Sequence, residues 1–375
     1  METEISIILP CRNEEKALPF CLKEIQKTIK DNNLSAEIIV SDSSDDKSPQ
    51  IAKDYGVVLV KHDKEGYGIA YLEAFKIAKG KYIFMADADA SYDFKEAPRF
   101  VEQLRSGFDM VIGNRFKGKM YDGAMTFSHR YIGNPILSFI LRLFFKTKIR
   151  DSQCGIRAIT KESLEKLNLQ TTGMEFASEM IIKALRCKLK IKELPVDYRP
   201  RIGKSKMQSF RDAWKHIRFM LLYSPLFLFF IPGLIVFLLG IFSLFFLYFY
   251  SPIILGVKLY YHPMFLSSLL TIVGYQLITF SGFAKIYSIT HLKEQNKVLE
   301  NLFKHITIEK ACILGAVLLI LGFAIYFNMT ARWIKSGFSS LDEIKNSIIA
   351  LTLLTIGTQT IFSSFMFSIL GIKEK

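Results

Sequence analysis

The second half of this chain sets the strongest limit on its fold. From Leu221 onward, long apolar runs replace the mixture of charged and apolar residues that fills the first part. Four runs, near Pro225–Phe249, Met264–Tyr287, Ala311–Phe327 and Ser347–Leu370, come close to or exceed the roughly 20 apolar residues that cross a bilayer as a helix. As buried core helices they would need a polar layer around them, and no sequence remains to supply one. Four membrane helices are therefore expected, the third being the shortest run.

Charge gives these spans an orientation. No secretory signal is read at the N-terminus: Ile5 to Leu9 is too short, and Arg12, Glu14 and Glu15 follow at once. Lys293, Lys297, Lys304 and Lys310 lie between the second and third runs, and Lys373 and Lys375 end the chain. Cationic loops stay on the cytoplasmic side. The expectation is a multi-pass protein of the plasma (cytoplasmic) membrane, with the N-terminal domain and both termini in the cytoplasm. The bias is moderate, because Arg332, Lys335 and Lys345 fall in the second outer loop. Five cysteines form no CxxC pair, which fits reduced thiols in that compartment.

Before Leu221, short apolar runs alternate with helical patterns. Ile5–Leu9, Ile38–Val40, Val57–Val60, Tyr82–Ala86 and Met110–Ile112 read as buried strands. Glu14–Ile29, Pro49–Tyr55, Gly68–Ala78 and Lys95–Arg105 read as helices. Such alternation implies an α/β domain with a mostly parallel sheet, whose ligands bind beyond the carboxyl ends of the strands. Polar clusters follow three of those strands: Pro10–Glu14, Ser41–Asp46, and Asp87-Ala88-Asp89. Two phosphate motifs can be set aside. Gly66-Tyr67-Gly68 opens like a dinucleotide fingerprint but has Tyr71 at the third glycine and follows the wrong strand. Gly203-Lys204-Ser205 ends like a P-loop, but Tyr198 holds its first glycine position.

The aspartate pair has a physical reading of its own. Clustered carboxylates repel unless a cation or water separates them. In a strand-like segment residues two apart point the same way, so Asp87 and Asp89 can face one ion. Mg²⁺ or Mn²⁺ takes hard oxygen ligands and bridges carboxylates to substrate phosphates.

On these blocks the chain resembles the family 2 glycosyltransferases of GT-A nucleotide-sugar fold. More narrowly it is similar to the dolichol-phosphate mannose or glucose synthase group, which acts on polyprenyl phosphates. The matching pieces are Leu9–Glu14, Ser41-Asp42, Asp87-Ala88-Asp89, Gly113-Asn114-Arg115, Asp151–Arg157 and Gly203–Lys206. The resemblance implies a GT-A domain over 1–204, an interfacial helix over 205–222 and a four-helix membrane domain over 223–375. It places Pro10, Arg12, Glu14, Asp42, Asp87, Ala88, Arg201, Ser205 and Lys206 around the nucleotide-sugar donor. It assigns Arg115, Arg130 and Asn134 to the acceptor phosphate, and Asp151 with Asp89 to the reacting centre. The metal falls to Asp87 and Asp89. The family's Gln two residues further on is Ser91 here, so Ser91 or Asp93 completes the shell. A phosphate with a second pKa near 6 is ionised at neutral pH, so Asp151 is expected to orient groups more than to remove a proton. Attack at the anomeric carbon is expected to invert it.

The excess charge of +14 is concentrated in two segments. Arg115–Arg150 holds eight basic residues against Asp122, and Arg186–Arg218 eleven against three acids. Beside membrane spans this fits anionic headgroups, and no nucleic-acid module is present. Asn134 and Pro135 read as the start of a helix with a narrow polar stripe, Ser138, Arg142 and Lys146, lying partly in the membrane interface. Met207, Phe210, Trp214, Ile217 and Leu221 mark the apolar side of a second such helix. A processive polysaccharide synthase would need Gln-x-x-Arg-Trp on the cytoplasmic side. The sole Arg-Trp pair, Arg332-Trp333, has Met329 in the Gln position and falls in an outer loop. A degenerate transport or scaffold protein is opposed by the intact aspartate pair.

Overall fold

The structure, a computed structural model, describes residues 3–203, 209–254, 257–290 and 308–371. Ser205, Lys206, Met207 and the lysines between 291 and 307 lie outside the described residues, as does the basic tail. The chain divides into two compact units, Met1–Tyr223 and Ser224–Lys375.

The first unit is built on a seven-stranded sheet of order β3-β2-β1-β4-β6-β5-β7. Its strands are β1 (Ile5–Cys11), β2 (Ala36–Asp42), β3 (Val58–Lys61), β4 (Tyr82–Met85), β5 (Met110–Asn114), β6 (Arg157–Thr160) and β7 (Ile191–Pro195). All five strands read from sequence are present. Val58–Lys61 is not buried, however: it forms the sheet's edge, with Val58 41% exposed. The last two strands escaped the sequence reading. β6 is only four residues long and opens on Arg157, a residue that does not advertise a buried strand. Arg157 is fully buried because three carbonyls, of Cys154, Ala177 and Ser152, accept from its guanidinium.

Around the sheet run α1 (Leu18–Asp31), α2 (Ser48–Asp54), α3 (Tyr67–Phe75), α4 (Ala97–Arg105), α5 (Asn134–Phe145), α6 (Lys161–Leu167), α7 (Phe176–Arg186) and α8 (Ser209–Leu222). The strands β1, β2, β3 and β4 pair in parallel, as do β5 and β7, while β6 runs antiparallel to both β4 and β5. That direction has a consequence. The sheet edge where the parallel strands end is also where β6 begins, since Arg157 pairs with Met85 and Ile112. Segments 10–14, 42–46, 86–93, 114–115, 151–156 and 196–201 therefore converge on one edge.

Asn134 does not start its helix. Helical backbone begins at Phe127, passes through a π turn at His129–Gly133 and continues into α5. Pro135 is the physical reason for the wide turn: it lacks an N–H, and its ring crowds the carbonyl four residues back. The same arrangement precedes Pro232, with a π turn at Leu226–Phe230. Of the polar stripe of α5, Ser138 and Arg142 face inward, while Lys146 is exposed just past the helix end. Ser138 is buried against Ser152, 3.1 Å between hydroxyl oxygens, and Arg142 donates to the Ile149 carbonyl. The outward side carries Ile132, Ile136, Phe139 and Leu143, each about half exposed, and Phe127, 73% exposed. On α8, Phe210 and Trp214 are exposed, whereas His216 and Met220 are buried.

Among the described residues of the second unit four helices are long and apolar enough to cross a membrane: Leu226–Phe249, His262–Tyr287, Ile308–Lys335 and Ile344–Gly371. The third is 28 residues long, more than its apolar run suggested, because Glu309 and Lys310 at one end and Asn328 to Lys335 at the other continue the helix. Glycines let these helices approach closely. A Cβ on Gly240 would stand 2.4 Å from the Thr271 nitrogen, and one on Gly274 2.3 Å from that of Phe237. Hydroxyl pairs such as Ser268–Thr352 and Tyr275–Thr360, each 2.6 Å, satisfy the polar groups between helices.

Candidate active site

The aspartate pair sits where the chain leaves β4. Strand pairing stops at Met85, so Asp87 and Asp89 lie on a turn rather than in the strand, and Ala90 closes it at φ 63°. The two carboxylates nevertheless interact. Burial first, and then the charge of Asp89, push Asp87 up to about 7, against the pull of Arg115 and Arg201. Arg201 Nη2 lies 3.5 Å from Asp89 Oδ2 and 3.4 Å from Glu14 Oε1, so it ties the loop after β1 to the aspartate turn. Its Nε is buried without a hydrogen-bond partner.

Neither residue proposed as third ligand is free to turn toward a cation. Ser91 is fully buried, and its hydroxyl and amide both donate to Asp89 Oδ1, at 2.5 and 3.0 Å. Asp93 pairs with Arg199 and accepts from the Lys95 amide. Ser91 therefore orients Asp89, and Asp93 joins the 196–201 segment to the turn. Among the described residues no group of three or more His, Cys, Asp or Glu side chains could hold a metal ion. What remains is two neighbouring carboxylates, hard-oxygen groups whose mutual repulsion a cation would relieve. That donor set fits Mg²⁺ or Mn²⁺.

Arg115 and Asp151, assigned to different tasks in the sequence reading, are bound to each other. Asp151 accepts from Arg115 Nε and Nη2, each at 2.8 Å, and from the Arg115 amide at 3.0 Å. The side chains are 7% and 0% exposed. Asp151 thus orients Arg115, and Arg115 cannot present this fork to an acceptor phosphate while the pair stands. Its guanidinium lies 5.1 Å from the Tyr198 ring centroid. Glu193, which sequence reasoning missed, accepts from the amides of Arg150 and Asp151 at 2.7 and 3.0 Å and fixes that corner. Asn134 is buried and donates to the Met125 sulfur. Arg130 lies over the Tyr131 ring, and among the described residues no ion pair holds it.

Among the residues that the resemblance assigns to the donor, Asp42 closes β2 opposite Cys11 and is fully buried, accepting from Ser44 and from Lys61 Nζ at 2.9 Å. Pro10 precedes Cys11 in β1 beside Ser41. Arg12 reaches out to Glu65, and Ala88 is buried between the two aspartates. Gly66 and Gly68 turn out to be spacers. A Cβ at either would meet the carbonyl of Thr172 or Thr171 at 2.2 Å, so only glycine lets that loop lie on the start of α3. Buried Glu179 holds the loop, accepting from the amides of Gln170 and Thr171.

An α/β sheet with an aspartate turn and two arginines at its carboxyl edge has the architecture of GT-A nucleotide-sugar transferases. The model of "Glycosyl transferase family 2" matches residues 6–167, and that of the "Glycosyltransferase family 2 C-terminal transmembrane region" matches 282–371. A relative, the low-salt glycan biosynthesis hexosyltransferase Agl6 of Haloferax volcanii, is 35% identical over 98% of this chain and 89% of its own. A dolichyl-phosphate hexose transferase of the same organism is 27% identical over 55% of this chain and 88% of its own. Among solved structures, glucosyl-3-phosphoglycerate synthase from Mycobacterium tuberculosis, in complex with Mn²⁺, UDP and glucosyl-3-phosphoglycerate, aligns with a TM-score of 0.50. It shows 20% identity over 59% of this chain and 80% of that one. This chain belongs to glycosyl transferase family 2.

Proposed function

We propose that the protein transfers a hexose from a nucleotide-sugar donor to a polyprenyl phosphate, dolichyl or undecaprenyl, at the cytoplasmic face of the membrane, with inversion at the anomeric carbon. The observation that carries this reading is the aspartate turn at the sheet edge, bridged by Arg201 to Glu14, in a chain that also supplies four membrane helices. The family relatives named for hexose and dolichyl-phosphate transfer support the sugar and lipid classes.

A divalent cation held by Asp87 and Asp89 supplies positive charge for the departing diphosphate. The chain's own residues do the rest. Arg201, with its unpaired Nε, meets the donor diphosphate, and Ser205 and Lys206 are assigned there too. Glu14, Pro10, Arg12 and Asp42 line the side where base and ribose lie. Asp151 holds the Arg115 guanidinium near Asp87, adding a fixed cation at the reacting centre. Arg130, beside the exposed apolar residues Phe127, Ile132 and Ile136, receives the lipid phosphate.

Donor and acceptor recognition should separate. A charge-assisted hydrogen bond is worth roughly 1.5–3 kcal/mol, about ten- to a hundredfold in affinity. Arg201→Ala is expected to weaken calorimetric donor binding by that factor. Arg130→Ala is expected to raise the Michaelis constant for polyprenyl phosphate and leave donor affinity unchanged. Weakened donor binding in Arg130→Ala with normal acceptor kinetics would remove Arg130 from the acceptor site.

The proposed orientation rests on loop charge. In a background without the native cysteines, Ser339→Cys should react with an impermeant thiol reagent in intact cells, and Lys297→Cys should be protected. The reverse labelling pattern would invert the topology.

A further inference from the structure

The loop that carries Asp151 also touches the aspartate pair, at its other end. Gly155 lies so close to Asp87 that a Cβ there would stand 2.4 Å from Oδ2 and 3.0 Å from Cγ. No side chain fits without moving the carboxylate. The Gly155 backbone is itself held: its amide donates to the Tyr92 hydroxyl at 2.8 Å. Tyr92 is 1% exposed and follows Asp89 by three residues, on the same turn. Its ring is fixed by Tyr198, 5.2 Å between centroids. At the far side of the loop Arg157 binds the carbonyls of Ser152 and Cys154, so Gly155 has little room to shift.

We propose that Gly155 and Tyr92 are positioning residues for Asp87: the Tyr92 hydroxyl fixes the Gly155 backbone against the carboxylate, and this contact sets where Asp87 meets a divalent cation. The proposal rests on the metal reading given above and adds the groups that aim one of its ligands. Groups that orient a metal-binding side chain typically matter about ten- to a hundredfold in metal affinity.

The test uses the full chain in detergent and Mn²⁺ alone as the probe, following free Mn²⁺ by electron paramagnetic resonance. Wild type should bind one Mn²⁺ that Asp87→Asn does not. Gly155→Ala should raise the Mn²⁺ dissociation constant about tenfold or more. Tyr92→Phe keeps the ring and removes the acceptor, and it should shift the constant in the same direction. Transfer by both variants should recover at high Mn²⁺. A purely structural role would lower the melting temperature and the folded fraction without changing the constant of the protein that remains folded. Should Gly155→Ala fail to fold, Tyr92→Phe decides alone. Unchanged Mn²⁺ affinity in the folded variants overturns this proposal and leaves the metal reading standing. Absence of Mn²⁺ binding in wild type overturns both.

Discussion

Asp89→Ala is expected to lower sugar transfer by at least about a thousandfold while the protein stays folded. Asp89 sits on a turn, is bound by Ser91 and Arg201, and supports no strand or helix. Removing it leaves Asp87 as a single ligand, and the charge a metal places at a leaving group is worth several kcal/mol. At 1.36 kcal/mol per tenfold, about 4 kcal/mol of lost stabilisation gives that factor. Excess chelator should reproduce the loss in wild type, and Mn²⁺ or Mg²⁺ should reverse it. Steady-state transfer with a thermal melt of the same sample checks both halves. Full activity in chelator would sink the metal assignment.

Asp151→Asn should damage the fold as well as the chemistry. It would leave Arg115 charged and buried against a neutral amide, without its counter-charge and with an N–H donor facing its fork. Breaking a buried pair in this way typically costs about 3–5 kcal/mol. In a unit of this size the expected fall in melting temperature is of the order of 10 °C. With Asp151 intact, Arg115→Lys should also lower stability, because a point-charge ammonium cannot fill both positions of the fork. A melt of Asp151→Asn within about 1 °C of wild type would show that the pair does not hold the site together.

These two residues also show what the sequence could and could not reveal. The place of Asp87 and Asp89 at the sheet edge was legible because they are neighbours and follow a clear apolar strand. The membrane helices were legible because composition alone specifies them. The Arg115–Asp151 pair joins residues 36 apart in sequence, and nothing local couples them, so Arg115 was assigned to the acceptor phosphate and Asp151 separately to the reacting centre. Asn134-Pro135 carried a true helix-start pattern, yet a preceding π turn absorbed the proline and kept the helix going. Gly66-Tyr67-Gly68 looked like half of a phosphate motif. Its glycines answer instead to a loop more than a hundred residues away in sequence. For the ion pair and for the two glycines a contact distant in sequence decided the outcome, whereas at Asn134 the turn just before it did.

The central claim is transfer of a sugar onto a lipid phosphate, and one measurement addresses it directly. Purified full-length protein is given short polyprenyl phosphates and a panel of radiolabelled UDP- and GDP-hexoses, and the label entering the organic phase is counted. One donor should carry label into a lipid product, with Asp89→Ala giving none. Label that stays aqueous for every donor, or that enters a polymer instead of the lipid, would contradict the account.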